Sequence, residues 1–199
     1  MAKGKFKGKG NPLSQRLVNI RNERHNFLIV CEGRETEPSY FKHFKVSKCI
    51  KGFGKGGLKL IRYAIRVRDR DKKRFSQVWC VLDKDETPDD EFLQALAEAA
   101  KHNIHVAYSN ESFELWFYLH FNYHDRYTHR SEYKKLLSSC LNFTYDKTVD
   151  LYDILLSLQD DAIKNAKHLF DSYRNHDPAH DNPCTTVHKL VKALLENSS

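Results

Sequence analysis

The amino-acid sequence predicts an α/β fold, a mainly parallel sheet flanked by helices and followed by a helical C-terminal extension. Three observations carry that expectation. Short apolar runs rich in β-branched and aromatic residues recur at 26–33 (NFLIVCEG), 77–86 (QVWCVLDKDE) and 104–110 (IHVAYSN). Stretches with helical spacing separate them, and everything beyond residue 131 reads as helix.

NFLIVCEG is apolar at consecutive positions and stops at Gly33, the pattern of a strand buried on both faces. Gly33 is expected to let the chain turn sharply there. TEPSYFKHF then opens a helix, with Thr36 as N-cap and Pro38 in the first turn. Residues 45–57, with glycines at 52, 54, 56 and 57, read as a loop ahead of an amphipathic helix from Leu58 to near Arg70. After the second strand, TPDDEFLQALAEAAKHN has Thr87 as cap and Pro88 at the first position. Acids in its first turn and Lys101 and His102 in its last complement the helix dipole. The third strand leads into ESFELWFYLHF (111–121), an apolar and therefore buried helix; its Phe113, Trp116, Phe117, Tyr118 and Phe121 read as core and not as a base-stacking platform. Three more helical stretches follow, the last begun by Pro183 or Thr185. The expected organisation is a flexible basic segment over 1–24, an α/β core over 25–125, and a helical extension over 126–199 packed on that core.

At 199 residues the chain has the length of one ordinary domain and buries a core without staples. No stretch approaches the roughly 18 consecutive apolar residues of a membrane helix. The start, MAKGKFKGKGNP, lacks the apolar region of a secretory signal, so a cytoplasmic location is expected. The five cysteines are odd in number and include no CxxC pair, which argues for reduced thiols. Of the net charge of +7, five charges lie in residues 1–16 as Lys3, Lys5, Lys7, Lys9 and Arg16, leaving about +2 for the body. Within that body, the segment 51–74 concentrates basic residues. Lys51, Lys55, Lys59, Arg62 and Arg66 are candidate contacts to nucleic-acid phosphates, and equally a solubilising face.

The strands share a feature beyond their apolarity: each ends in acids. The first delivers Glu32, with Glu35 and Glu37 a turn later; the second delivers Asp83 and Asp85, with Glu86 adjacent; Glu111 and Glu114 follow the third. In open parallel sheets ligands sit at the carboxyl ends of the strands. Residues i and i+2 of an extended segment face one side, which aims Asp83 and Asp85 together. Carboxylates so gathered repel one another unless a cation neutralises them, and a hard divalent ion, Mg²⁺ or Mn²⁺, suits such a set. The plainer account, acids that only cap the following helices, fits Asp89 and Asp90.

Four ordered motifs carry a resemblance to a known family: CEGRETEPSYF (31–41), VWCVLDKDE (78–86), SNESFELWFYLHF (109–121) and NPCTTVHKLVKALL (182–195). On these the chain resembles the RloB-like proteins, a bacterial family built on the Toprim fold, a Rossmann-like sheet, and related to the Toprim nucleases of OLD-type and abortive-infection defence proteins. The resemblance implies a Toprim metal site: Glu32 in metal binding or as general acid/base, Asp83 and Asp85 holding the ion, and Glu37 and Glu114 as further site members. One departure stands out. The family more often has proline where this chain has Glu111, which reads as an exposed acid at a helix start.

The reaction expected from such a site is metal-dependent cleavage of phosphodiesters in DNA or RNA, tRNA included, as an effector of anti-phage defence. Two other readings stay open. The chain can be a regulatory or binding subunit active only with a separately encoded ATPase; it has no GxxxxGK[ST] of its own, since GFGKGG lacks that spacing. It can also be a primase-like nucleotidyl transferase. Oligomeric state is not legible. HDPAHDNPC (176–184) spaces His176, His180 and Cys184 four apart, but Pro178 and Pro183 break the helix that would align them as zinc ligands. That loop is read as solvated, with histidines able to reach the crevice. His120 and His124 are read as satisfied core or surface histidines.

Overall fold

The structure, a computed structural model, describes residues 26–70 and 74–198. The basic segment 1–24 lies outside the described residues, as do Lys72 and Lys73 of the basic stretch.

Strand β1 (Asn26–Cys31) is buried from its second residue onward. It lies inside a five-stranded sheet, between β2 (Ser47–Gly52) and β3 (Gln77–Asp83), with β4 (His105–Asn110) and β5 (Cys184–Thr185) beyond β3. The order is β2-β1-β3-β4-β5; every pairing is parallel except β4 with β5. The pleat explains why consecutive apolar residues were needed. Phe27, Ile29 and Cys31 enter one core cluster with Trp79, Val81 and Ala107, while Leu28 and Val30 enter the other with Val78, Cys80 and Leu82.

Helices cover both faces. α2 (Gly57–Arg70) and α3 (Asp89–Lys101) close one side with Leu60, Ile61, Ala64, Phe92, Ala95 and Ala99. The other side carries α1 (Thr36–Phe41), α4 (Glu114–Tyr118), α5 (Arg130–Leu141), α6 (Tyr152–Leu155), α7 (Gln159–Ser172) and α8 (Val187–Glu196). This larger core is aromatic: Tyr40 meets Phe41, Phe44, Phe113 and Phe117 edge-to-face at 5.3–5.6 Å or 6.0 Å between centroids. The aromatic run expected to be core is core, with Phe113, Trp116 and Phe117 fully buried. His120 is buried too, its Nδ1 bonded to the Trp116 carbonyl at 2.9 Å.

Several local expectations need correction. Residues 47–52, read as part of a loop, form edge strand β2, where half-exposed lysine and cysteine hide the strand pattern. The stretch after 131 is not helical throughout: β5 adds two residues antiparallel to β4, with Thr186 N–H bonded to the Tyr108 carbonyl at 2.8 Å. The last helix therefore starts at Val187, later than Pro183 or Thr185. The helix expected over 111–121 spans only Glu114–Tyr118. Thr36 and Thr87 do not cap; the preceding Glu35 takes the first position, and Pro88 the second. All five cysteines are free thiols.

The chain order places β3 beside β1 on the side opposite β2, so the loops leaving β1 and β3 part toward α1 on one face and α3 on the other. A crevice opens where such loops diverge. The tight aromatic layer behind it predicts that Trp116→Ala costs about 3–5 kcal/mol in urea unfolding. Leu156→Ala, at a half-exposed position, should change stability by less than about 0.5 kcal/mol.

Candidate active site

Glu32 follows β1 and is fixed by the backbone on both sides. Its N–H donates to the Val81 carbonyl at 3.0 Å, and its own carbonyl accepts from Gly54 N–H at 2.8 Å. Its carboxylate turns toward β3, where Oε2 accepts from the Asp83 N–H at 3.3 Å. Gly56 makes room for it: a Cβ there would stand 2.3 Å from Glu32 Oε1. Glu37, in the first turn of α1, folds back so that Oε1 accepts from Gly33 N–H at 2.9 Å. A Cβ at Gly33 would come within 2.1 Å of that carboxylate. Close approach, not a left-handed turn, is therefore what requires glycine at 33, whose φ is not positive.

Glu32, Glu37, Asp83, Asp85 and Glu114 line one crevice of about 260 Å³. The five acids that the resemblance marks as site members meet there, and Glu35 lines the crevice as well. Asp83 and Asp85 converge differently from the extended i, i+2 expectation: Asp83 ends β3, and Asp85 sits in a turn at φ 39° with its N–H bonded to the Glu111 carbonyl at 3.1 Å. The intervening Lys84 is buried instead, Nζ reaching the Thr87 carbonyl at 2.7 Å and Asp89 at 2.9 Å.

The electrostatics are those of crowded acids. Asp83 is held well above the ordinary carboxylate range, first by burial and then by the charges of Glu37, Glu114 and Glu32. Burial likewise raises Glu32 and Glu37, with Glu37 adding to the first and Glu114 to the second. Asp83 Oδ1 is sealed from solvent and has no hydrogen-bond partner. Such an atom is costly to leave unmet, and oxygen donors gathered around it suit a hard divalent cation.

Three cations that sequence reasoning did not assign share the crevice: Arg34, Arg130 and Lys147. Arg130 pairs with Asp85, and Lys147 Nζ lies 3.3 Å from Glu114 Oε1. Arg34 stood inside a quoted motif; Arg130 and Lys147 arrive from a segment with no sequence pattern tying it to strand ends. Glu111 is not a site acid. Its Oε2 accepts from Arg130 N–H at 2.7 Å and its Oε1 from Asn182 at 3.4 Å, so it anchors the start of α5.

The basic candidates divide. Lys55 and Lys59 line an adjoining groove with Glu32, Asp85, Glu86 and Glu91, while Arg62 and Arg66 continue the exposed face of α2 and Lys51 is exposed on β2. None lines the acid crevice itself. The histidine loop stays apart from that crevice as well: His176 Nδ1 pairs with Asp181 Oδ2 at 2.6 Å, within 4.8 Å of Cys184 Sγ. His180 leaves that group and pairs with Asp177 and Asp89.

A doubly wound, mainly parallel sheet with acids at its switch point defines the class: an α/β protein with an anionic crevice at the strand carboxyl ends. The model of the RloB-like protein family matches residues 27–194, and the chain belongs to that family. Comparisons with curated proteins and with solved structures return no match. Among the described residues no helix is long and apolar enough to cross a membrane.

Two outcomes follow from the crowding. A carboxyl whose native pKa exceeds its unfolded value adds stability below the unfolded range near about pH 4, and that stability is lost as pH rises through the native value. In metal-free buffer, Asp83→Asn should therefore gain on the parent in melting temperature as pH rises from about 4 to 8, read by calorimetry at each pH; a constant gap would contradict the assignment. Gly56→Ala should fold yet lose most of any Mn²⁺-induced rise in melting temperature, because its methyl displaces the Glu32 carboxylate.

Proposed function

We propose that this chain is a Toprim-type, divalent-metal-dependent nuclease that acts in the cytoplasm as an effector of anti-phage defence. The observation that carries the reading is the unpartnered Asp83 Oδ1 in a crevice that Glu32, Glu35, Glu37, Asp85 and Glu114 also line. Glu32, Asp83 and Asp85 are the residues that would hold the ion, with Glu37 and Glu114 behind them. When bound, Mg²⁺ or Mn²⁺ supplies a Lewis acid for a non-bridging phosphate oxygen and acidifies a water.

The chain's own residues do the rest. Arg34, Arg130 and Lys147 bind the phosphate and orient it over the acids, where their charges also stabilise the extra negative charge of the transition state. Lys59, Arg62 and Arg66 recur at helical spacing on the exposed face of α2 and extend a cationic track from the groove beside Glu32. Family membership supports the defence role, through the resemblance of RloB-like proteins to abortive-infection Toprim nucleases.

Control by a partner ATPase is the second reading, and the Arg130–Asp85 ion pair favours it. That contact withholds one carboxylate from an ion until something draws Arg130 away.

Incubation with plasmid, single-stranded DNA and tRNA in Mg²⁺ or Mn²⁺ tests the proposal. Cleavage should fall at least about 10²-fold in Asp83→Ala; equal cleavage by variant and parent would overturn it. Lys59→Glu with Arg62→Glu should weaken binding on every sequence and reduce the salt slope by about one per removed contact.

A further inference from the structure

Beside the acid crevice lies a second cavity, of about 550 Å³, that the reaction as described does not use. Glu114, His129, Arg130, Ser131, Lys134, Tyr145, Asp146 and Lys147 line it. Its walls are the first turns of α5 and the 145–147 loop that follows the left-handed Asn142 cap of that helix. The loop is firmly placed. Tyr145 N–H donates to Ser138 Oγ at 2.8 Å, and the Lys147 carbonyl accepts from Thr36 Oγ1 of α1 at 3.1 Å.

Glu114, Arg130 and Lys147 line both cavities, so they form the partition between them. Arg130, Lys134 and Lys147 outnumber the carboxylates of Glu114 and Asp146 in the lining of the second cavity, while their aliphatic stems and the buried Tyr145 ring give it apolar surface. The Tyr145 hydroxyl is shielded from solvent near Glu114 and makes no hydrogen bond of good geometry. Its volume falls in the range of roughly 300–1,000 Å³ that holds compact organic ligands. A partly apolar slot with a net positive lining, next to a phosphate-handling crevice, matches one nucleotide of a longer strand.

We infer that this cavity receives a nucleotide adjacent to the scissile phosphate, turned out of any stack, so the substrate is single-stranded or locally unpaired nucleic acid. This rests on the nuclease reading above. A base inside a duplex cannot enter a walled cavity without being extruded, whereas a loop or single strand presents it already free. Arg130 and Lys147 then hold the phosphate shared by the two cavities, and Lys134 meets the next phosphate along the strand.

The test is fluorescence anisotropy of the full chain with a labelled single-stranded oligonucleotide, the same sequence in a hairpin loop, and its blunt duplex, all in Ca²⁺, with Mn²⁺ cleavage measured in parallel. The single strand and loop should bind about tenfold or more tighter than the duplex. Lys134→Glu and Ser131→Glu, both at exposed positions, should each reduce that preference, and Lys135→Glu, exposed on α5 but outside the cavity, should not. Equal or tighter duplex binding, or a preference untouched by both cavity variants, would overturn the inference. Absent cleavage with the preference and its variant dependence intact would sink cleavage by the chain on its own while leaving the cavity standing as a site for an unpaired nucleotide. Equal cleavage of duplex and single strand would do the reverse.

Discussion

Parallel pairing of β1 with β3 is the constraint on which the rest of the molecule depends. It brings Cys31 opposite Val81 and so sets Glu32 beside the end of β3, close enough for its carboxylate to accept from the Asp83 N–H. Left to themselves, acids at these positions would move apart. The ladder prevents it, because moving Glu32 away would break its two backbone hydrogen bonds, to Val81 and Gly54. The site is thus a repulsive arrangement held by the most buried part of the fold.

That arrangement costs stability, and the structure offsets it locally and globally. Locally, Glu37 accepts from Gly33, Lys147 faces Glu114, and Arg130 faces Asp85. Globally, two apolar layers clamp the sheet, and the aromatic layer on the α1 side reaches the crevice itself through Phe113. Asp83 Oδ1 is left without a partner. A buried acceptor in that state costs stability that the surrounding core has to offset.

Much of this was legible in the sequence, for physical reasons that also explain the failures. β1 and β3 announce themselves because strands buried on both faces must be apolar at every position, and their terminal acids stand out against that background. Glu32, Asp83 and Asp85 stand out in this way, whereas Glu37 and Glu114 were set apart from Glu35, Glu86 and Glu111 only by the resemblance to the RloB-like family. β2 was missed because an edge strand tolerates Lys48, Lys51 and exposed glycine, and β5 because two residues have no period. Arg130 and Lys147 were missed because tertiary packing alone brings α5 and the 145–147 loop to the sheet edge; no spacing records it. Asp85 reached the site by a positive-φ turn that an extended-strand argument does not foresee.

The decisive quantity is whether the gathered acids hold a cation. An anomalous-difference map from a crystal of the protein soaked in Mn²⁺ measures that directly. The account predicts a peak within about 2.0–2.6 Å of Asp83 Oδ1 and a Glu32 carboxylate oxygen. A map with no peak in the crevice, or with density only at His176, Asp181 and Cys184, would contradict it.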